Sequence, residues 1–216
     1  MAAFAVTEKI GGNAMKKMSV REITVGALLI ALAILIPNVM PKVVIGPASF
    51  TLGSHVPLFI SMFFSPLLAV MVAIGTTVGF FMSSLPIVVT LRAASHIVFA
   101  VLGAWYLQKH PETVLTNGKF QLVNIKFQLF NLIVGLIHSA VEVLVVLAFN
   151  LVDLGNAGSY QGGAFYFFFV LMGVGGLIHS LVDYNIAYFV TAAVSKQFTI
   201  PVFTAAKNLF RKKSAA

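Results

Sequence analysis

The chain has 216 residues, of which 59% are hydrophobic and only 9% charged, and its formal net charge is +8. A soluble domain carries about a quarter charged residues, so the composition excludes one and points to a membrane-embedded protein. There is no cysteine, which excludes disulfides, thiolate metal sites, cysteine nucleophiles and iron–sulfur clusters.

Apolar runs near the ~20 residues needed for a helix to cross a bilayer recur along the chain. They are continuous rather than alternating, which argues against a β-barrel. Basic residues cluster in 9–21, 109–126 and 196–213, between and beyond these runs. That distribution marks cytoplasmic segments rather than a nucleic-acid-binding patch. Residues 1–18 lack the basic start, apolar core and small-residue cleavage site of a removable signal. Residues 1–20 are therefore expected to form a cytoplasmic segment ahead of a retained first span.

Span 1 is expected over 22–40, ending at Pro37 and Pro41. On it Ala27 and Ala31, four residues apart, form a small face that another helix can approach closely, in a second subunit or in the chain's own bundle. Residues 42–54 read either as a small hairpin turning at Gly46-Pro47 and lying across a cavity mouth, or as a connector. Spans 2 (55–65) and 3 (67–83) flank Pro66 and share little sequence, so at least one is short or both are strongly tilted. Gly75, Thr76, Thr77 and Gly79 give span 3 a small face for close packing.

A short connection, 83–86, leads to span 4 (87–107), where Arg92 and His96 share a face at i,i+4. Trp105 beside Lys109 reads as an interfacial anchor. The polar stretch 108–126 precedes span 5 (127–151), and the glycine-rich 153–163 connection, without Lys or Arg, precedes a long span 6 (164–195). Residues 197–213 mix apolar and basic side chains, as does a segment lying on an anionic inner leaflet. The expected architecture is an all-α polytopic membrane protein with six spans and both termini cytoplasmic. A transmembrane substrate-binding domain occupies 21–196 and a basic tail 197–216.

Inside these spans an octet recurs. Residues 135–142 read Gly-Leu-Ile-His-Ser-Ala-Val-Glu and 176–183 read Gly-Leu-Ile-His-Ser-Leu-Val-Asp. Helical spacing puts His138 and Glu142 on one face of span 5, and His179 and Asp183 on one face of span 6. Ionisable groups inside apolar spans mark binding sites or ion paths, unless they only satisfy one another. Counting helical rise from the flanking lysines, and running spans 5 and 6 antiparallel, sets His138 level with Asp183 and Glu142 level with His179. The expectation is crossed pairing in two layers: an inner one with His96, His138 and Asp183, and an outer one with Arg92, Glu142 and His179. Arg92 is the only Arg or Lys within a span, and its guanidinium is a bidentate seat for a carboxylate.

The size, the six-span layout with both ends inside, the Ala27-Leu28-Leu29-Ile30-Ala31 motif and the long segment after span 1 resemble the S components of energy-coupling factor (ECF) vitamin transporters. The stretches Pro47-Ala48-Ser49-Phe50-Thr51-Leu52-Gly53-Ser54-His55-Val56-Pro57 and Pro86-Ile87-Val88-Val89-Thr90-Leu91-Arg92-Ala93-Ala94-Ser95-His96 look like the niacin-specific subgroup. The resemblance implies high-affinity binding of a small vitamin beneath the outer loops, at the level of Arg92, Glu142 and His179. It further implies docking through Ala27 and Ala31 on a coupling transmembrane subunit, energy from two cytoplasmic ATPases, and toppling in the prokaryotic plasma membrane to release cargo. In agreement, the chain holds no Gly-x-x-x-x-Gly-Lys phosphate loop. Arg92 would take a nicotinate carboxylate, a histidine the pyridine nitrogen, and Phe50 a wall position. His55, His96, His138 and Asp183 complete the candidate set, with no catalytic residue, cofactor or metal expected. The alternatives are another vitamin or small carboxylate, a transition-metal transporter using His138/Glu142 and His179/Asp183, and an intramembrane enzyme, for which no nucleophile or cofactor motif is present.

Overall fold

The computed structural model describes residues 18–45, 48–82, 86–151 and 162–215. The expected Gly46-Pro47 turn, most of the 83–86 and 153–163 connections, and residues 1–17 lie outside these. Helix α1 (Val20–Val39) opens on a capping box: Ser19 Oγ accepts from Glu22 N at 3.2 Å, and Glu22 Oε2 accepts from Ser19 N at 2.8 Å. It runs through Pro37 rather than ending there. One lost backbone bond in the final turn does not break a helix already packed along its length. Strands β1 (Lys42–Ile45) and β2 (Ala48–Thr51) pair antiparallel, so the hairpin alternative holds.

Helix α2 (Val56–Met62) has only seven residues, and α3 (Pro66–Met82) seventeen. They are followed by α4 (Ile87–Lys109) and α5 (Ile125–Leu151). Helix α6 runs as one 32-residue element, Gly163–Val194, and α7 (Pro201–Ser214) closes the chain. Among the described residues, α1, α4, α5 and α6 are each long and apolar enough to cross a membrane. The fold is that of an all-α, multi-pass membrane protein.

Small residues set the helix contacts. Ile30 and Ile34 of α1 lie against Gly75 and Gly79 of α3, where a Cβ would collide with them. Ala27 and Ala31 point away from the bundle, on an exposed face shared with Leu28 and Leu32. They are therefore not spent on packing within the chain. The core is aromatic: Phe59 of α2 stacks on Tyr184 of α6 at 4.2 Å, and Phe127 of α5 stacks on Tyr188 at 3.8 Å. Lys109 Nζ sits 3.7 Å above the exposed Trp105 ring, consistent with an interfacial anchor.

The tail differs from expectation. Ile200, Val202, Phe203 and Ala206 are buried in the main core rather than turned toward lipid. Val202 N donates to Phe63 O at 3.2 Å, and Arg21 Nη2 to Thr199 O at 3.1 Å. The apolar stripe of α7 finds cover on the ends of α2 and of the 108–126 segment, while Lys207, Arg211, Lys212 and Lys213 face outward together with Leu209. Phe203→Ala should therefore cost ~3–5 kcal/mol, as loss of a buried Phe does elsewhere, and lower the melting temperature in detergent. An unchanged melting curve would mean that the tail is not part of the folded body.

Candidate ligand-binding site

The two octets meet each other, but through their small residues. Gly135 of α5 lies against Leu177 and Ser180 of α6, and Gly176 of α6 lies against Ser139 of α5. Ser139 Oγ donates to the carbonyl of Gly173 at 2.5 Å. That carbonyl lies in Tyr166–Gly175, which is wound as a π-helix. Its i→i+5 bonds re-aim carbonyls that an α-helix would use internally, and such segments recur at functional sites. Apart from Gly173, Gly175 and Gly176, nothing in the sequence signals it.

Because small side chains fill the α5–α6 seam, the ionisable ones turn sideways, toward α4 and the start of α2. The crossed pairs expected from antiparallel registration do not form. Instead Glu142 is bound by α4: Arg92 Nε donates to Oε1 at 3.2 Å, Arg92 Nη2 to Oε2 at 3.0 Å, and His96 Nε2 to Oε1 at 2.9 Å. His138 Nε2, from the same helix as Glu142, lies 3.6 Å from Oε1.

Asp183 is bound by the chain between β2 and α2. Its Oδ1 accepts from Gly53 N at 2.7 Å and its Oδ2 from His55 N at 2.9 Å. His55 Nδ1 and His179 Nε2 lie 3.3 and 3.4 Å from Oδ2. The inner and outer layers are thus replaced by two carboxylate-centred clusters, with His96 grouped beside Arg92 and Asp183 beside His179. His55 joins them, its ring centroid 4.9 Å from that of His96, 4.7 Å from His138 and 5.0 Å from His179.

The clusters surround a cavity of about 90 Å³. Arg92 and His96 of α4, His138 and Glu142 of α5, His179 of α6, and Phe50 and His55 all line it; Asp183 stands behind, fully buried. Phe50 sits edge-on to His179 at 5.7 Å and against Gly175, which brings the hairpin over the cavity. Thr51, Ser54 and Thr76 also line it and were not foreseen. Ser54 Oγ lies 3.1 Å from His179 Nε2 and 3.2 Å from His55 Nδ1. Its position beside His55 in the covering segment is the only clue the sequence carried. Ala33, Leu58, Ala73, Phe80 and Val89 complete an apolar wall. The volume is well below the ~300–1,000 Å³ of drug-sized pockets, so the site suits a small solute. The paired Arg92, the imidazoles and the aromatic cover offer it charge, hydrogen bonds and a flat face.

A helical membrane body folded around a small, ionisable cavity defines a solute-binding membrane protein. The chain is 46% identical over 200 residues, 92% of its length and 85% of the relative's, to the niacin transporter NiaX of Lactococcus lactis subsp. cremoris (strain MG1363). It belongs to that family, the niacin-type S components of ECF transporters. No family model and no solved structure matches the chain.

The Asp183 contacts carry a consequence for the cover. Replacing Asp183 by Asn removes a charged acceptor from two backbone amides, and bonds to charged groups contribute ~1.5–3 kcal/mol each. The Asp183→Asn variant should melt earlier and show faster hydrogen exchange at the Gly53 and His55 amides. Exchange there no faster than in the parent would sink the anchoring role.

Proposed function

We propose that this chain binds niacin, as nicotinate, and is the substrate-binding subunit of an ECF-type importer. The observation that carries this reading is the 46% identity, across 92% of the chain, to a niacin transporter. The site supports it chemically. Glu142 engages Nε and Nη2 of Arg92, which leaves Nη1 to face a substrate carboxylate. One of the imidazoles lining the cavity supplies the hydrogen-bond donor that the pyridine nitrogen needs. Phe50 supplies an aromatic face at the cover.

In this reading the bundle has six spans with both termini cytoplasmic. The short α2 and the seventeen-residue α3 serve as spans 2 and 3, and the basic segments at 109–126 and 196–213 lie inside. The cavity opens under the β1–β2 hairpin toward the outside. Energy comes from two ATPase subunits through a coupling transmembrane subunit. The exposed Ala27 and Ala31 face is the docking surface, since small residues let a partner helix approach its backbone.

Purified protein should bind nicotinate with submicromolar affinity in calorimetry. Arg92→Ala should weaken it at least ~30-fold, because truncating one partner of a buried charge pair costs ~2–5 kcal/mol. That variant strands Glu142, so Arg92→Ala/Glu142→Gln serves as the folded control and should bind as poorly. Unchanged affinity in either variant would place the carboxylate elsewhere. For docking, Ala27→Trp or Ala31→Trp should block uptake and co-purification with the coupling subunit while leaving nicotinate affinity intact; uptake at the parental rate would remove the docking role.

A further inference from the structure

The imidazoles of His55, His96 and His138 converge with the Glu142 carboxylate so closely that one ligand atom from each lies within 4.8 Å of the other three. This is not the set that the twin octets suggested. Two of its members come from outside them, and His179 and Asp183 fall to one side. Hydrogen bonding does not exhaust the cluster, because His138 Nε2 is buried and lacks a hydrogen-bond partner among the described residues.

The groups are also held from behind. Ser180 Oγ lies 3.1 Å from His138 Nδ1, Asp183 Oδ2 lies 3.3 Å from His55 Nδ1, and Arg92 Nη2 holds Glu142 Oε2 at 3.0 Å. On the two histidines this leaves Nε2 as the remaining ring nitrogen, and Glu142 Oε1 stays within reach of the imidazoles while also accepting from Arg92 Nε at 3.2 Å. Carboxylates and hydroxyls that fix the far nitrogen of an imidazole are the usual support of metal ligands. The spacing is compatible with an ion. Tetrahedral ligands at ~2.0–2.1 Å from a metal stand ~3.3–3.4 Å apart. His96 Nε2 and His138 Nε2 lie 2.9 and 3.6 Å from Glu142 Oε1. The remaining separations, within 4.8 Å, close if the rings move inward on the ion.

We propose that His55, His96, His138 and Glu142 form a binding site for a divalent transition-metal ion, whose charge helps to hold an anionic substrate in the same cavity. Three imidazoles and one carboxylate suit zinc, nickel or cobalt and not the oxygen-seeking calcium or magnesium. The ion replaces the hydrogen that His96 Nε2 donates to Glu142, and His96 passes to its other neutral tautomer. With neutral imidazoles, the site holds one cation, Arg92, paired with Glu142, against two carboxylates, Glu142 and the Asp183 that stands behind His55. The wall is then one negative charge in excess, which opposes an incoming anion. A divalent ion reverses that excess, and a carboxylate ligand completes neutrality in a medium where unbalanced charge is costly. The metal site stands on the side-chain geometry alone; its link to substrate rests on the nicotinate reading.

The test uses full-length protein in detergent, stripped with EDTA, desalted and titrated with Co²⁺ alone. One equivalent should bind, with the visible absorption of a four- or five-coordinate site, and Zn²⁺ should displace it. His138→Ala should lose that absorption; because it also loses the buried ring's Nδ1 contact to Ser180, retained helical content in circular dichroism is the check that it stays folded. The absence of stoichiometric Co²⁺ binding, or a signal identical in His138→Ala, overturns the site. Nicotinate is then titrated into stripped and Zn²⁺-loaded protein, and the loaded form should bind at least ~10-fold more tightly, within the usual range of coupling between sites. Equal affinity overturns the charge-supply role. Failure of nicotinate to bind either form, with the Co²⁺ signal intact, upholds the metal site and overturns the nicotinate reading instead.

Discussion

Two carboxylates inside an apolar bundle dictate the arrangement of everything near them. A buried charge without partners is prohibitively costly, so Glu142 and Asp183 must each gather donors from neighbouring elements. Glu142 draws Arg92 and His96 from α4. Asp183 draws two backbone amides, those of Gly53 and His55, from the chain between β2 and α2. The first set of contacts ties α4 to α5, and the second ties the cover to α6. The cavity is the space left between them.

This division of labour gives the two octets different tasks despite their near identity. In α5 the His/Glu pair faces the cavity directly. In α6 the Asp lies behind His55 and His179, and serves the hairpin that closes the site. The small residues of both octets do a third thing. Gly135, Ser139, Gly176 and Ser180 make the α5–α6 seam thin, and Ser139 receives its carbonyl partner from the π-wound segment that brings Gly175 against Phe50. Backbone geometry in α6 thus contributes to the position of the aromatic cover.

Below the site the bundle is tied by aromatic stacking rather than charge. The Phe59–Tyr184 and Phe127–Tyr188 stacks join α2, α5 and α6, and Phe203 of α7 adds to the same cluster. Helix α2 spans little of the membrane by itself. It bridges the cavity, where His55 precedes its first turn, to the end of the bundle, where Phe63 meets Val202. The binding residues and the tail are therefore linked through one short, fully packed element.

Much of this protein was legible in its sequence. Composition and the length of the apolar runs determined the membrane class, and i,i+4 spacing placed His138 with Glu142, His179 with Asp183 and Arg92 with His96, because helical periodicity is local and invariant. The stretches around Phe50–His55 and Arg92–His96 pointed to the family for the same reason: each lies contiguous in the chain. What only the tertiary structure decided was which helix face meets which. The octets suggested that His138 faces Asp183 and Glu142 faces His179. The seam instead went to glycines and serines, because close helix approach is governed by side-chain volume, which periodicity does not rank. Likewise the tail's apolar stripe is compatible with lipid or protein. The open ends of α2 and the 108–126 segment, assembled from distant parts of the chain, determined that it is buried on protein.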